Sequence, residues 1–394
     1  MPGLGENIAQ LIGNRRQREA ASGAAPAGTP GLVNVQGFGS NPGALHMLAY
    51  VPQELPLGAP LVVALHGCTQ SAAAYDAGAG WSRMAQRHGF AVLLPEQVRG
   101  NNPNACFNWF QPADTTRGGG EAESIRQGIA HMVATHRLDP ARVFITGLSA
   151  GGGMAATMLA AYPEVFAGGA IIAGLPHGAA QSMPEAFEAM GGRRHHSARE
   201  WGDLVRQASP HKGSWPRVQI WQGDADSTVR PGNAAELVKQ WTDVLGLPAA
   251  PSVVDRVDGA AHQAWRDASG QVTLECFMIS GMGHGTPLNP RAADLDESLG
   301  VPAPYMLDAG ISSTWHMAQS WGLLTAAAQV RTEAARNETP RAGQGEAGQT
   351  GSRPAFGGLL EGLLPEIKLP IAARSGAVGE VIEKALRSAG LMKS

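Results

Sequence analysis

Residues 143–154, VFITGLSAGGGM, narrow the choice of fold more than any other part of the chain. The β-branched and aromatic run Val143-Phe144-Ile145-Thr146 reads as a buried strand, and the run from Met154 to Ala161 reads as a helix. Between them, Gly147-Leu148-Ser149-Ala150-Gly151 sets a serine in a G-x-S-x-G sequence at a strand-to-helix junction. In a turn of this kind the glycines leave room for the neighbouring strand and helix, and the serine sits at the tip. The helix then starts beneath the serine, so its free N–H groups and positive dipole end face any negative charge formed there. A glycine-rich turn with an ordinary serine would carry the same letters; the strand before it and the helix after it favour the nucleophile elbow.

Strand and helix patterns alternate on both sides of this stretch. Residues 44–51 and 61–65 read as strands around a proline-rich turn, and 61–65 (LVVAL) is apolar throughout, as a strand covered on both faces must be. A helix ending near His88, a strand at 90–94, an irregular loop over 95–120 and a helix at 121–136 lead to the elbow. After it come strands at 168–173 and 218–222, separated by a polar insert at 176–216 that carries Arg193, Arg194, His195 and His196. The insert reads as a solvated excursion, with the wall of a substrate cleft as its sharper alternative. A helix at 231–245 precedes a hairpin of 253–265 against 272–279, turning at Asp267-Ala268-Ser269-Gly270, and a last helix spans 312–329. This order predicts an α/β fold with a mostly parallel, doubly wound sheet and helices on both faces. Ligands then gather at the carboxyl ends of the strands.

A serine nucleophile needs a base to take its proton, a carboxylate to orient that base, and donors for the oxyanion. The strand 218–222 runs into Gly223-Asp224-Ala225-Asp226-Ser227-Thr228-Val229, and the strand 272–279 delivers Ser280-Gly281-Met282-Gly283-His284-Gly285. Serine, acid, histidine is the chain order of the α/β-hydrolase design, which makes His284 the expected base. Spacing leaves Asp224 and Asp226 as competing acids. His66, in the turn that follows the 61–65 strand, is expected to shape the oxyanion loop and to border the substrate.

Five segments, Leu65-His66-Gly67-Cys68-Thr69-Gln70, Asn104-Ala105-Cys106-Phe107-Asn108-Trp109-Phe110, Gly147-Leu148-Ser149-Ala150-Gly151, Gly223 to Val229 and Gly281 to Gly285, together resemble the poly(3-hydroxybutyrate) depolymerase family of esterases, relatives of feruloyl and acetylxylan esterases. The resemblance covers roughly residues 31–329. It implies an acyl-enzyme reaction with Ser149 as nucleophile, His284 as base and Asp226, the aspartate of the family's Gly-x-x-Asp-x-x-Val pattern, as acid. It further implies backbone N–H groups of Cys68 and Ala150 as oxyanion donors, and no cofactor or metal. Cys68 and Cys106 each fall inside a family motif, and whether they pair is left open. Cys276 reads as a buried small apolar residue, and Trp109 as a substrate-facing aromatic beside the mouth, with core packing as its alternative.

The expected division is an N-terminal arm (1–30), an α/β-hydrolase catalytic domain (31–330), a linker (331–355) and a tail (356–394). The linker is too poor in large apolar residues to order itself, and the tail ends in an amphipathic helix through Val378, Val381, Ile382, Ala385, Leu386 and Ala389. That helix is expected to dock on the domain or a second subunit, with granule contact as the alternative. Thirty basic against 33 acidic side chains, a net charge of −3 without a basic block, argue against a nucleic-acid partner. No apolar run is long enough to cross a membrane, and no secretory signal pattern is visible, so a cytoplasmic location is expected. The expected substrate is a hydroxyalkanoate polyester or its oligomers. Feruloyl or acetyl sugar esters are the enzymatic alternative, and a non-catalytic granule- or partner-binding protein is the alternative of another class.

Overall fold

The computed structural model describes residues 31–325 of the chain. The expected arm, linker and amphipathic tail, and the end of the expected last helix, lie outside the described residues. A ten-stranded sheet organises the rest. Its strands are β1 (Val33–Asn34), β2 (His46–Tyr50), β3 (Leu61–Leu65), β4 (Ala91–Glu96), β5 (Val143–Leu148), β6 (Gly168–Ile172), β7 (Arg217–Gly223), β8 (Val253–Val257), β9 (Ala260–Arg266) and β10 (Val272–Ile279). They lie side by side as β1-β2-β4-β3-β5-β6-β7-β10-β9-β8. From β4 to β10 every neighbouring pair is parallel, while β1, β2, β9 and β8 add antiparallel margins. The fold is the α/β-hydrolase architecture expected from the strand–helix alternation.

The central strands are buried on both faces, which is why they read as unbroken apolar runs. In β3, Leu61, Val63 and Leu65 join one core cluster while Val62 and Ala64 join the cluster on the opposite face, following the two-residue period of a strand. In β5, Val143 and Ile145 point one way and Phe144 and Leu148 the other. Helices Gly120–His136 and Ala150–Ala161 pack on the first side. Helices Ala72–Ala79, Trp81–His88 and Ser313–Ser320 pack on the second, where Trp321 stacks at 4.9 Å on Phe144 and at 5.9 Å on Trp81.

Several expected boundaries differ for identifiable reasons. Residues 253–265 form two strands, because Asp258 (φ 47°) and Gly259 (φ 83°) both take the left-handed conformation that closes a tight hairpin. The helix ending at His88 is two helices broken at Gly80 (φ 83°). The polar insert holds helices Met183–Met190 and Ala198–Gln207, the latter started by a Ser197/Glu200 capping box. The last helix ends at Ser320, before Gly322 (φ 66°). A small parallel pair, β11 (Thr286–Leu288) with β12 (Met306–Asp308), has no counterpart in the sequence reading. Among the described residues, no helix is long and apolar enough to cross a membrane.

Candidate active site

Ser149 stands between β5 and helix Ala150–Ala161 with φ 59° and ψ −116°, a backbone conformation that costs a non-glycine residue of order 1–3 kcal/mol. The surroundings hold it there. Its N–H donates to Ile172 O at 2.9 Å, and its carbonyl accepts from Gly153 N at 2.9 Å. A β-carbon on Gly147 would overlap the Gly151 carbonyl, and one on Gly151 would overlap the carbonyls of Leu65 and His66. The two glycines of the motif are therefore required by close packing of β3, β5 and the helix.

His284 and Asp226 meet at the same end of the sheet. Asp226 follows β7, is 1% exposed, and its Oδ2 lies 2.7 Å from His284 Nδ1. The carboxylate is fixed from its other side, where Oδ1 accepts from Thr228 N (2.8 Å) and Val229 N (2.9 Å) while Oδ2 also accepts from Gln222 Nε2 (3.1 Å). Asp224 is exposed, and its Oδ1 accepts from Gly281 N at 2.7 Å. The geometry thus decides between the two aspartates left open by spacing: Asp226 holds the imidazole, and Asp224 braces the loop that carries it.

The turn 66–69, expected to supply an oxyanion donor, is held by a buried network. His66 is 0% exposed, so the expectation that it borders substrate does not hold. Its Nε2 accepts from Gln97 N at 3.1 Å, which leaves the proton on Nδ1 to donate to Gly67 O at 2.8 Å. Burial lowers its pKa, consistent with a neutral ring. The carbonyl that His66 holds belongs to the Gly67–Cys68 peptide, and in a planar trans peptide the N–H points opposite to the C=O. Fixing Gly67 O therefore fixes the direction of the Cys68 N–H. Ala150 N is the first N–H of its helix and has no partner inside it.

Cys68 and Cys106 form a disulfide, tying the oxyanion turn to the loop 104–110, and Thr69 N donates to Asn104 O at 2.7 Å beside it. Gln97 donates to Cys106 O at 3.1 Å and to Glu121, whose Oε2 accepts from Asn108 N at 2.8 Å. Burial, with Asp114 nearby, pushes the Glu121 carboxyl up to about 8. Trp109 is 7% exposed and packs with Phe110, Ala150 and Leu175 against the start of helix Ala150–Ala161. It serves the core beside the site, the alternative kept open for it. Cys276 is buried in β10 and unpaired.

Gln97, Glu121 and Tyr305 were not picked out by motif. Tyr305 reaches His284 because β11, which starts two residues after the histidine, pairs with β12; the two rings lie edge to face at 6.1 Å. Only the position of Gln97 at the end of a buried strand could have flagged it. Among the described residues, no group of three or more His, Cys, Asp or Glu is placed to hold a metal.

Residues 45–261 match a family model described as Esterase PHB depolymerase. Poly(3-hydroxyalkanoate) depolymerase C of Paucimonas lemoignei is 46% identical over 294 residues, 74% of this chain and 70% of that protein. An acetylxylan esterase of Coprinopsis cinerea is 34% identical over 269 residues, 66% of this chain and 70% of that protein. Feruloyl esterase B of Neurospora crassa is 35% identical over 272 residues, 66% of this chain and 90% of that protein. Among solved structures, an acetyl xylan esterase from Aspergillus awamori matches with a TM-score of 0.63 at 25% identity, over 75% of this chain and all of that one.

Proposed function

Because the chain belongs to the esterase PHB depolymerase family, whose matched relatives are carboxylic ester hydrolases, we propose that it cleaves hydroxyalkanoate oligoesters or polyester through an acyl-serine. In this reading Ser149 Oγ attacks the ester carbonyl and His284 takes its proton. Asp226, bonded to Nδ1, holds the ring proton there, which leaves the lone pair of Nε2 to take the serine proton, and it stabilises the imidazolium. The Cys68 and Ala150 N–H groups receive the oxyanion, at positions set by the His66–Gly67 bond and by the helix start. His284 then returns the proton to the leaving alcohol, and water repeats the sequence on the acyl-enzyme.

The observation that carries the reaction is the Asp226–His284 bond, formed at the strand ends where the elbow presents Ser149. An ordered set of nucleophile, base and acid also speaks against a protein that only binds. The choice of substrate is supported by the 46% identity to a poly(3-hydroxyalkanoate) depolymerase against 34% and 35% to the two sugar-ester enzymes. The compartment belongs to the same proposal: the Cys68–Cys106 bond favours an oxidising environment over the cytoplasm expected from sequence, since cytoplasmic thiols are kept reduced.

The test is a hydrolysis panel of hydroxybutyrate trimer, amorphous polymer, methyl ferulate, acetylated xylan and p-nitrophenyl butyrate. A kcat/KM for the trimer above that for methyl ferulate is expected. The reverse order would move the chain to the feruloyl esterases, and hydrolysis of none would remove the catalytic reading.

A further inference from the structure

A cleft of about 780 Å³ opens beside the oxyanion turn. Thr69, Gln70 and Tyr305 line it, and the Tyr305 ring lies 6.1 Å from that of His284. Its lining also takes in Glu96 at the carboxyl end of β4, Val98 and Arg99, together with residues 301–305. Gln70 joins the walls: it accepts from Gly67 N at 2.9 Å and donates to Pro304 O at 3.4 Å.

The titratable groups on this lining are His46, Glu96, Arg99 and Tyr305. Glu96 is engaged, with Oε2 accepting from Ala72 N at 2.7 Å at the start of helix Ala72–Ala79 and Oε1 3.9 Å from His46 Nδ1. Arg99 forms no ion pair with a carboxylate among the described residues. A single bond from its Nη1 to Pro103 O at 2.8 Å seats the guanidinium, whose other N–H groups remain available to a ligand. The cleft thus pairs a wall of Val98, Val301, Pro302 and Pro304 with Arg99, whose guanidinium bonds no carboxylate among the described residues, while the Glu96 carboxylate is held at the start of helix Ala72–Ala79.

A hydroxyalkanoate chain has a direction. Its hydroxyl end is neutral and its acid end carries a carboxylate. At any ester bond within it the acyl arm leads to the hydroxyl end and the alcohol arm leads to the acid end. A cation in the cleft is complementary to the acid end alone.

Building on the proposed function, we propose that this cleft holds the alcohol arm of a short hydroxyalkanoate oligoester and that Arg99 pairs with its terminal carboxylate. Cleavage forms the Ser149 Oγ–acyl bond and breaks the ester C–O bond, and the proton held by His284 passes to the departing oxygen. The first product is then a free hydroxy acid lying against Arg99, and water releases the acyl arm afterwards. The enzyme selects the bond to be cut by its distance from the acid end, so it trims oligoesters from that end.

The experiment compares hydroxybutyrate trimer with its methyl ester, which has no terminal charge, on the wild-type protein and on Arg99→Gln. The expected result is a fall of about fivefold in kcat/KM for the free acid, the upper range for an exposed charge pair. The methyl ester should change less than twofold, and added salt should weaken the wild-type preference for the acid. Arg99→Lys should recover part of the loss. An equal effect of Arg99→Gln on both substrates, or no effect on either, overturns the carboxylate assignment while leaving the esterase reading intact. Failure of the wild-type protein to hydrolyse either trimer overturns the carboxylate assignment together with the oligoester substrate of the proposed function.

Discussion

Replacing Asp226 by asparagine tests the site more sharply than removing the nucleophile, because the structure dictates which way the new amide must face. Asp226 Oδ1 accepts two backbone N–H groups, from Thr228 and Val229, and only an oxygen can stay there. Asparagine is therefore forced to place its NH2 where Oδ2 now lies, 2.7 Å from His284 Nδ1. A donor in that position turns Nδ1 into an acceptor and moves the ring proton to Nε2, the nitrogen that has to take the serine proton. The expected loss in kcat is on the order of 10⁴, the magnitude found for the same change in a serine protease. The buried amide also faces the donor Gln222 Nε2, so a stability loss of about 1–3 kcal/mol accompanies it. Asp224→Asn keeps an oxygen for Gly281 N and is expected to cost less than tenfold. The assay is kcat on p-nitrophenyl butyrate, with circular dichroism and thermal melting to confirm folding. An Asp226→Asn protein within tenfold of wild type, or an Asp224→Asn protein that is the more damaged, would refute the reasoning.

Ser149→Ala should leave the melting temperature near that of wild type and reduce kcat by on the order of 10⁶; ester hydrolysis at the wild-type rate by the folded variant would remove Ser149 from the chemistry. Cys106→Ser opens a loop of sequence separation 38 and is expected to cost roughly 4 kcal/mol by the chain-entropy estimate, read as a lower denaturant midpoint. It should also lower kcat, since the oxyanion turn loses its tether; unchanged activity under complete reduction would show that the disulfide does not position Cys68. Burial raises the Glu121 carboxyl from 4.5 to about 8, so the folded protein retains a proton that the unfolded chain releases. The resulting stability is full below about pH 4.5 and is lost as pH rises through 8. Glu121→Gln should flatten the melting temperature between pH 5 and 8.5, and a variant with the wild-type slope would assign that slope to another group.

The centre of the molecule was legible because its strands are buried on both faces. Residues 61–65 and 143–148 have no polar side to confuse their reading, and the serine, acid and histidine follow strands in an order that sequence alone displays. The choice between Asp224 and Asp226 required either a family pattern or the hydrogen bond itself, since both sit in one turn. His66 was misread for a physical reason: a histidine beside an oxyanion turn has the same letters whether its ring faces substrate or the core, and only its burial and the Gln97 bond decide. The split between β8 and β9 was written in Asp258-Gly259, a strong hairpin signal inside what otherwise read as one run. The wall 301–305 was not legible, because its position depends on pairing between β11 and β12, which are three residues each.

The margins of the sheet also bear on how the protein behaves in company. An open ten-stranded sheet ends in backbone groups that can recruit a strand from another molecule, the usual route to ordered aggregates. Among the described residues, one boundary strand, β1, has two residues, too few to template a partner. The other, β8, carries the exposed charges of Asp255 and Arg256 on opposite faces at the middle of its length, so an incoming strand would meet a charge on either face. Such boundaries matter most where the local concentration of the protein is high. Neutral β-branched residues at 255 and 256 would remove that protection, at the cost of the bond between Asp255 and His262.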